Sequence, residues 1–193
     1  PQFIRILVVL LTLTLAIEVG AVWFIRTFKI KNHWIYNLFT PVQLILFWSL
    51  FYKSQTSTTK RILLSTAILF SFFFFINILW WQGYNIFNSY TFMFSGSLIT
   101  FYTLSYLLNL YKSEDVHNFT KTPMFWICIG ILFYFPPNII VTGFIYEIYK
   151  YSKPLSQKLY QINKVLNILM YSFFLISIIV ASLKVKSITN RHE

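Results

Sequence analysis

The sequence predicts an all-α fold, a polytopic transmembrane helical bundle of six spans with no soluble domain. Of the 193 residues, 57% are hydrophobic, 21% are aromatic and only 11% are charged, which is too apolar for a soluble domain of this size. Apolar runs of about 20 residues recur along the chain, and a run of this length crosses ~30 Å of hydrocarbon as a helix. The runs are continuous and do not alternate with polar residues, which favours helices over strands. We therefore expect residues 1–193 to form a single transmembrane domain.

Tryptophan lies towards the boundaries of four of the six runs. The predicted spans are about 6–25, 34–52, 62–81, 91–111, 125–146 and 160–183. Indole favours the headgroup level of a bilayer, so Trp near a span end supports that boundary. All six Trp residues have such positions: Trp23, Trp34, Trp48, Trp80, Trp81 and Trp126.

The first run has the outline of a signal peptide, with Arg5, an apolar core and a poor cleavage sequence, Val-Gly-Ala, at residues 19–21. We expect it to be retained as a helix. Glu18 lies just past its middle and is the only acidic residue deep in any span. A charged side chain there is costly, about 2.5–3.5 kcal/mol for a comparably placed Asp, so Glu18 is expected to face the bundle interior and a polar partner. Ala16-x-x-x-Gly20 on the same helix would permit the close approach of a neighbour.

Prolines interrupt the second and fifth spans. Pro41 lies within one turn of the middle of span two, and Pro136 and Pro137 lie at the middle of span five. Each proline removes a backbone donor, so these residues are candidate hinges. We expect span five to be discontinuous or bent by more than about 20°. Interruptions at corresponding positions of two halves also indicate the inverted repeat of a transporter.

Loop charge predicts the orientation. We call the side of the N-terminus side A and the opposite side side B. With six spans, side A holds nine Lys and Arg residues and side B holds seven. Cytoplasmic loops carry the excess, so we expect both termini in the cytoplasm. The composition, rich in Phe, Ile, Tyr, Asn and Lys, is typical of an AT-rich bacterial genome, which favours the bacterial inner membrane.

Each of the six spans contributes polar side chains at the middle of the bilayer or in its B half, and Asn109 near a span end is the main exception on the A side. Gln43 is at the middle of span two, and Asn77 is in the B half of span three. Asn138 is just past the middle of span five, and Asn167 is in the B half of span six. Such amides often only bond between helices, at ~0.6 kcal/mol on average. The shared depth instead predicts a polar cleft that opens to side B and binds a ligand through Glu18, Gln43, Asn77, Asn138 and Asn167.

The sequence lacks the motifs of intramembrane enzymes. It has no pair of deep Asp residues, no H-E-x-x-H and no G-x-S-x-G. The three His residues lie in predicted loops or the tail, and the one cysteine, Cys128, has no His nearby in sequence. We expect no catalytic residues, no metal site and no cofactor. The net charge of +11 comes mostly from loop residues that meet lipid phosphates, so no nucleic-acid partner is expected.

Three stretches resemble small multi-span inner-membrane proteins of Bacteroidota that have no assigned activity: NHWIYNLFTPVQLILFWSLFYKS, PMFWICIGILFYFPPN and INKVLNILMY. The resemblance covers most of the chain and implies no site residues. Pro41-x-Gln43 is similar to the Pro-Gln motif of small sugar and vitamin transporters, with one residue inserted.

Three functions remain open from the sequence. The first is a non-enzymatic module that binds or senses a ligand or lipid in the cleft and works with a partner. The second is a transporter or channel for a small solute or ion, with a midplane site at Glu18 and a broken helix five. The third is a membrane subunit of a larger complex or a membrane-acting defence effector. We prefer the first, with membrane lipids and either a second protein or a second copy of the chain as partners.

Overall fold

The computed structural model describes residues 2–52, 55, 57–112 and 118–189. Over these residues the chain is all-α, which confirms the predicted fold class. The long helices are α1 (Gln2–Phe28), α2 (His33–Tyr52), α3 (Ser57–Ile76), α4 (Ser89–Lys112), α5 (Pro123–Tyr151) and α6 (Lys153–Thr189). A π-helix, Asn77–Trp81, continues α3, and a 3₁₀-helix, Phe119–Lys121, precedes α5. Within the described residues, six helices are long and apolar enough to cross a membrane, in the predicted order.

The observed helices extend past most of the predicted span ends. The largest difference is in α6, which begins at Lys153 and ends at Thr189, whereas the predicted span covers 160–183. Backbone hydrogen bonding continues where the side chains become polar, so apolar composition marks only the part of a helix that needs hydrocarbon. Pro123 begins α5, because a proline at the first helical position loses no hydrogen bond.

The chain divides into two compact units, Pro1–Tyr102 and Thr103–Glu193, with the boundary inside α4. We call them the first and the second unit. The single domain expected over residues 1–193 stays a prediction.

In the first unit, α1 packs against α2, and α2 packs against α3. Aromatic rings join α3 to α4, since the ring centroid of Phe94 lies 4.8 Å from that of Phe73 and 6.0 Å from that of Phe70. The hydroxyl oxygens of Thr66 on α3 and Tyr102 on α4 lie 2.8 Å apart. Within the first unit, α3 and α4 are therefore joined both by packed aromatic rings and by a direct hydrogen bond between side chains.

In the second unit, α5 and α6 form an antiparallel hairpin with only Ser152 between them. The two helices come close together at Gly130. A Cβ atom there would lie 3.0 Å from the main-chain oxygen of Met170 and 3.1 Å from Cβ of Phe173. The missing side chain of Gly130 thus lets two helix backbones meet.

No neighbour approaches closely at Ala16-x-x-x-Gly20 within the described part of the chain, although the motif would permit it. A Cβ atom on Gly20 would meet nothing within 4 Å, and Ala16 is exposed. Small residues permit a close contact without creating one.

The prolines lie inside continuous helices. α2 passes through Pro41, and α5 runs without interruption through Pro136 and Pro137. The discontinuity expected in α5 is therefore wrong. A proline has a φ near the helical value, and the bonded turns on both sides of the pair maintain the helix although two backbone bonds are lost. The alternative expectation of a bent α5, with these prolines as hinges, stays a prediction.

Candidate functional site

Glu18 lies on α1 and is bound by a tyrosine from the neighbouring helix. The Tyr36 hydroxyl on α2 donates a hydrogen bond of 3.1 Å to Oε2 of Glu18. A polar partner was expected for Glu18, and Tyr36 supplies it from another span. The side chain of Glu18 is exposed, so the expected interior position is wrong. The position of Glu18 along α1 follows from the sequence. The direction in which its side chain points depends on which side of α1 packs against α2.

Asn77 lies at the centre of a hydrogen-bond network. It is fully buried, and its Nδ2 donates to Oε1 of Gln82 at 3.0 Å and to Oγ1 of Thr91 at 2.7 Å. Nε2 of Gln82 donates in turn to Oγ of Ser89 at 2.9 Å. The network joins the end of α3 to the start of α4. Sequence reasoning missed Gln82, which it placed in an unremarkable loop.

The π-helix creates this arrangement. The main-chain oxygen of Asn77 accepts from the N–H groups of Gln82 at 2.8 Å and Gly83 at 3.3 Å. Gly83 has a φ of 72°, which glycine adopts without steric cost, so the chain can turn sharply there. Single π turns are rare in proteins. Those that occur are frequently located at functional sites.

A second amide side chain, that of Asn37, binds the segment between the π-helix and α4. Asn37 on α2 is only 3% exposed, and its Nδ2 donates to the main-chain oxygens of Ile86 at 2.8 Å and Tyr84 at 3.5 Å. The N–H of Asn88 donates to Oδ1 of Asn37 at 2.9 Å. Segment 82–88 is thus held against α2 at three of its residues, Tyr84, Ile86 and Asn88. We call Asn37, Asn77, Gln82 and Asn88 the amide cluster.

Buried atoms of the amide cluster remain without a partner. The side chain of Asn88 is 2% exposed, and neither its Oδ1 nor its Nδ2 has a hydrogen-bond partner among the described residues. The same holds for Oδ1 of Asn77. An unpartnered buried polar group costs about 1–3 kcal/mol, so such atoms indicate a water molecule or a ligand.

A groove of about 600 Å³ lies beside the amide cluster. We call it the basic groove, because Lys31 and His33 line it together with Trp34. Its other wall is Tyr84 and Asn85, which belong to the segment that Asn37 holds. Ile30 completes the lining. The groove therefore offers a cation, polar groups and apolar surface within one cavity.

A second groove, of about 670 Å³, is almost entirely aromatic, with Phe73, Trp80, Trp81, Tyr90 and Met93 as its lining. The ring centroids of Phe73 and Trp81 lie 5.6 Å apart, edge to face. The N–H of Tyr90 donates to Oε1 of Gln82 at 3.2 Å. The Asn77 network thus supports this groove as Asn37 supports the basic groove.

The remaining predicted ligand-binding residues have separate surroundings. Gln43 is half-buried on α2. Asn138 is fully buried on α5, and neither of its amide atoms has a partner in the described part of the chain. Nδ2 of Asn167 donates to Oδ1 of Asn163 at 2.9 Å, one turn away on α6. Glu18, Gln43 and Asn77 belong to the first unit and the other two residues to the second, so their common cleft stays a prediction.

Some residues named from the sequence lie outside the part of the chain that the structure describes. Glu114, Asp115 and His117 lie outside the described residues, as do His192 and Glu193. Among the residues that are described, no group of three His, Cys, Asp or Glu side chains is arranged to hold a metal ion.

The architecture defines a multi-pass α-helical membrane protein with a polar, partly unsatisfied region at one end of its first unit. Comparison of the chain with protein-family models, curated proteins and solved structures finds no match. The functional argument therefore rests on the residues of this chain.

Proposed function

We propose that this chain is a non-enzymatic membrane module that binds a ligand or lipid at the side-B end of its first unit. The observation that carries the proposal is the basic groove, one wall of which belongs to the segment that Asn37 holds by three hydrogen bonds. Buried amides fixed in this way are costly unless they are satisfied, and a preorganised wall reduces the entropy that binding must overcome. The module belongs to the bacterial inner membrane, with both termini in the cytoplasm.

The unpartnered atoms of the amide cluster support a binding role. Asn88 presents two N–H donors and one acceptor oxygen, and Asn77 presents one acceptor oxygen. A bound water or a polar group of a ligand that reached these buried atoms would satisfy them.

A sensing role follows from the position of segment 82–88. A ligand in the basic groove touches Tyr84 and Asn85, and α4 begins directly after this segment at Ser89. Occupancy would stabilise the segment and the first turn of α4 relative to an open state. A partner protein, or a second copy of the chain, would then respond to that change.

A transporter with a midplane site at Glu18 is a second candidate. The bond from the Tyr36 hydroxyl to Glu18 favours it, because a carboxylate held by a phenol within a span is suited to take up a proton or a cation. The uninterrupted α5 removes the support that a broken helix would have supplied.

The binding proposal is tested with the full chain extracted in mild detergent and analysed by native mass spectrometry. We expect wild-type protein to retain a non-protein molecule and Asn37→Ala to lose most of it. The matched control is Asn167→Ala, an amide of the second unit, which should retain it. Asn37→Ala should also lower the free energy of unfolding by about 1–3 kcal/mol, because buried backbone groups lose their partner.

Two outcomes would contradict the binding proposal. One is wild-type protein that carries no bound molecule after extraction from native membranes. The other is equal retention by Asn37→Ala and by wild type while both remain folded.

A further inference from the structure

The turn between α1 and α2 concentrates positive charge that its own unit does not neutralise. Pro1–Tyr102 contains seven Lys and Arg residues and a single acidic residue, Glu18. Three of the cations, Arg26, Lys29 and Lys31, lie within six positions of each other. Glu18 precedes Arg26 by eight residues, about 12 Å along α1 at helical rise, and is engaged by Tyr36. The turn therefore keeps a net positive charge that an anion from outside the first unit would neutralise.

The same turn is structurally held in place. Lys29 has a φ of 55°, and its N–H donates to the main-chain oxygen of Ile25 at 2.9 Å, which ends α1. Nδ2 of Asn32 donates back to the main-chain oxygen of Ala21 at 3.3 Å. Lys31 lies between these two anchored residues and lines the basic groove. The cation is thus carried by an anchored backbone rather than by a free loop.

The α2 helix adds partial positive charge to the groove. It begins at His33, which lines the groove, and it is 20 residues long. The first N–H groups of a helix have no partner within it, and the helix dipole favours an anion at that end. The Lys31 ammonium and the N-terminus of α2 therefore attract negative charge to the same cavity.

The rest of the lining suits a lipid. Trp34 and Tyr84 are 42% and 66% exposed, and such rings favour the headgroup level of a bilayer. Ile30 is 59% exposed and extends the cavity with apolar surface. The membrane span of α2 begins at His33, so the cavity lies where headgroups meet hydrocarbon. Its volume of about 600 Å³ is in the range of small-ligand sites.

We propose that the basic groove binds the phosphate headgroup of an anionic phospholipid, with Lys31 as the counter-charge and Trp34 and Tyr84 flanking the glycerol region. The inference rests on the proposed binding function and names the ligand class of that site. Asn37 positions the Tyr84 wall, whereas Lys31 supplies the selectivity for negative charge.

The experiment titrates the purified full chain in neutral detergent with phosphatidylglycerol and with phosphatidylcholine of the same acyl chains, with bound lipid counted by native mass spectrometry. One Lys near an anionic surface contributes an affinity factor of about fivefold. We expect phosphatidylglycerol to bind at least that much more tightly, Lys31→Gln to remove the preference, and Lys31→Arg to keep it. The matched control is Lys60→Gln, the same charge change at the other end of the unit beside Tyr52, which should leave the preference unchanged.

Several results would overturn the lipid assignment. Equal binding of the two lipids would do so, as would equal losses in Lys31→Gln and Lys60→Gln. Displacement of phosphatidylglycerol by an equal concentration of glycerol phosphate would show a site for a soluble phosphate instead. Neutral-lipid binding that still depends on Asn37 would overturn this inference and leave the proposed function in place. An absence of any bound molecule would overturn both.

Discussion

At the scale of single residues, the pairing of Glu18 with Tyr36 decides how a carboxyl group is accommodated within α1. The bond joins residues 18 positions apart on two helices. Hydrogen bonds between membrane helices contribute ~0.6 kcal/mol on average, so the pair positions the carboxyl group more than it stabilises the fold.

We expect Glu18→Gln to unfold at the same denaturant concentration as wild type, because the amide oxygen still accepts the Tyr36 bond. Tyr36→Phe removes only the donor and should lower the free energy of unfolding by roughly 0.6 kcal/mol. The measurement is unfolding by sodium dodecyl sulfate, followed by circular dichroism. A loss in Glu18→Gln as large as that in Glu18→Leu would show that charge, not the hydrogen bond, is what α1 requires. A transporter site would instead appear as normal folding with lost ion or proton uptake in Glu18→Gln.

At the scale of helices, the α5–α6 hairpin depends on one glycine. Cβ at Gly130 would press on the main-chain oxygen of Met170 and on Cβ of Phe173, and neither atom can rotate away. The stacking of Trp126 and Phe133 on Phe173, at centroid distances of 6.1 Å and 5.6 Å, depends on the same helix separation. The packing of the hairpin is therefore sensitive to a single methyl group.

Gly130→Ala should destabilise the protein by about 1–3 kcal/mol, the usual cost of overpacking. Gly20→Ala is the matched control, since the added methyl group meets open space and alanine favours the helix by about 1 kcal/mol relative to glycine. Unfolding midpoints of the two variants should therefore move in opposite directions, or only that of Gly130→Ala should fall. Equal midpoints for Gly130→Ala and wild type would show that α5 and α6 separate more easily than the geometry indicates.

At the scale of the whole molecule, orientation determines which compartment the basic groove faces. In the predicted topology side A holds nine Lys and Arg residues and side B seven, and Lys31 of the basic groove lies on side B. The proposed lipid site would then use the non-cytoplasmic leaflet.

Cysteine labelling in intact cells tests this orientation. Cys128 is the one native thiol and is buried, so it should resist a membrane-impermeant maleimide. Asn85→Cys and Asn118→Cys place exposed thiols on sides B and A. We expect Asn85→Cys to react in intact cells and Asn118→Cys only after lysis. The reverse pattern would place both termini outside the cytoplasm and turn the basic groove to the cytoplasmic leaflet.

The sequence by itself determined the number, order and approximate limits of the six spans and the depth of each polar residue. These properties are local, because the hydrocarbon thickness prescribes how many consecutive residues must be apolar. For the same reason Asn77 could be singled out as a deep amide. The sequence also showed the excess of cations over carboxylates on which the groove depends.

Only the tertiary structure decided which polar groups meet. Asn37 bonds to Ile86 and Asn88, which are 49 and 51 positions away, and no periodicity within one helix specifies such a pair. The exposed face of Glu18, the contact at Gly130 and the open space at Gly20 follow likewise from how each helix is rotated towards its neighbour. The continuous α5 belongs here too, because the hydrogen bonds on both sides of Pro136 and Pro137 outweigh a local loss. The sequence of apolar and polar residues sets where along a helix a side chain lies. Packing between helices determines the direction in which that side chain points and therefore its partner.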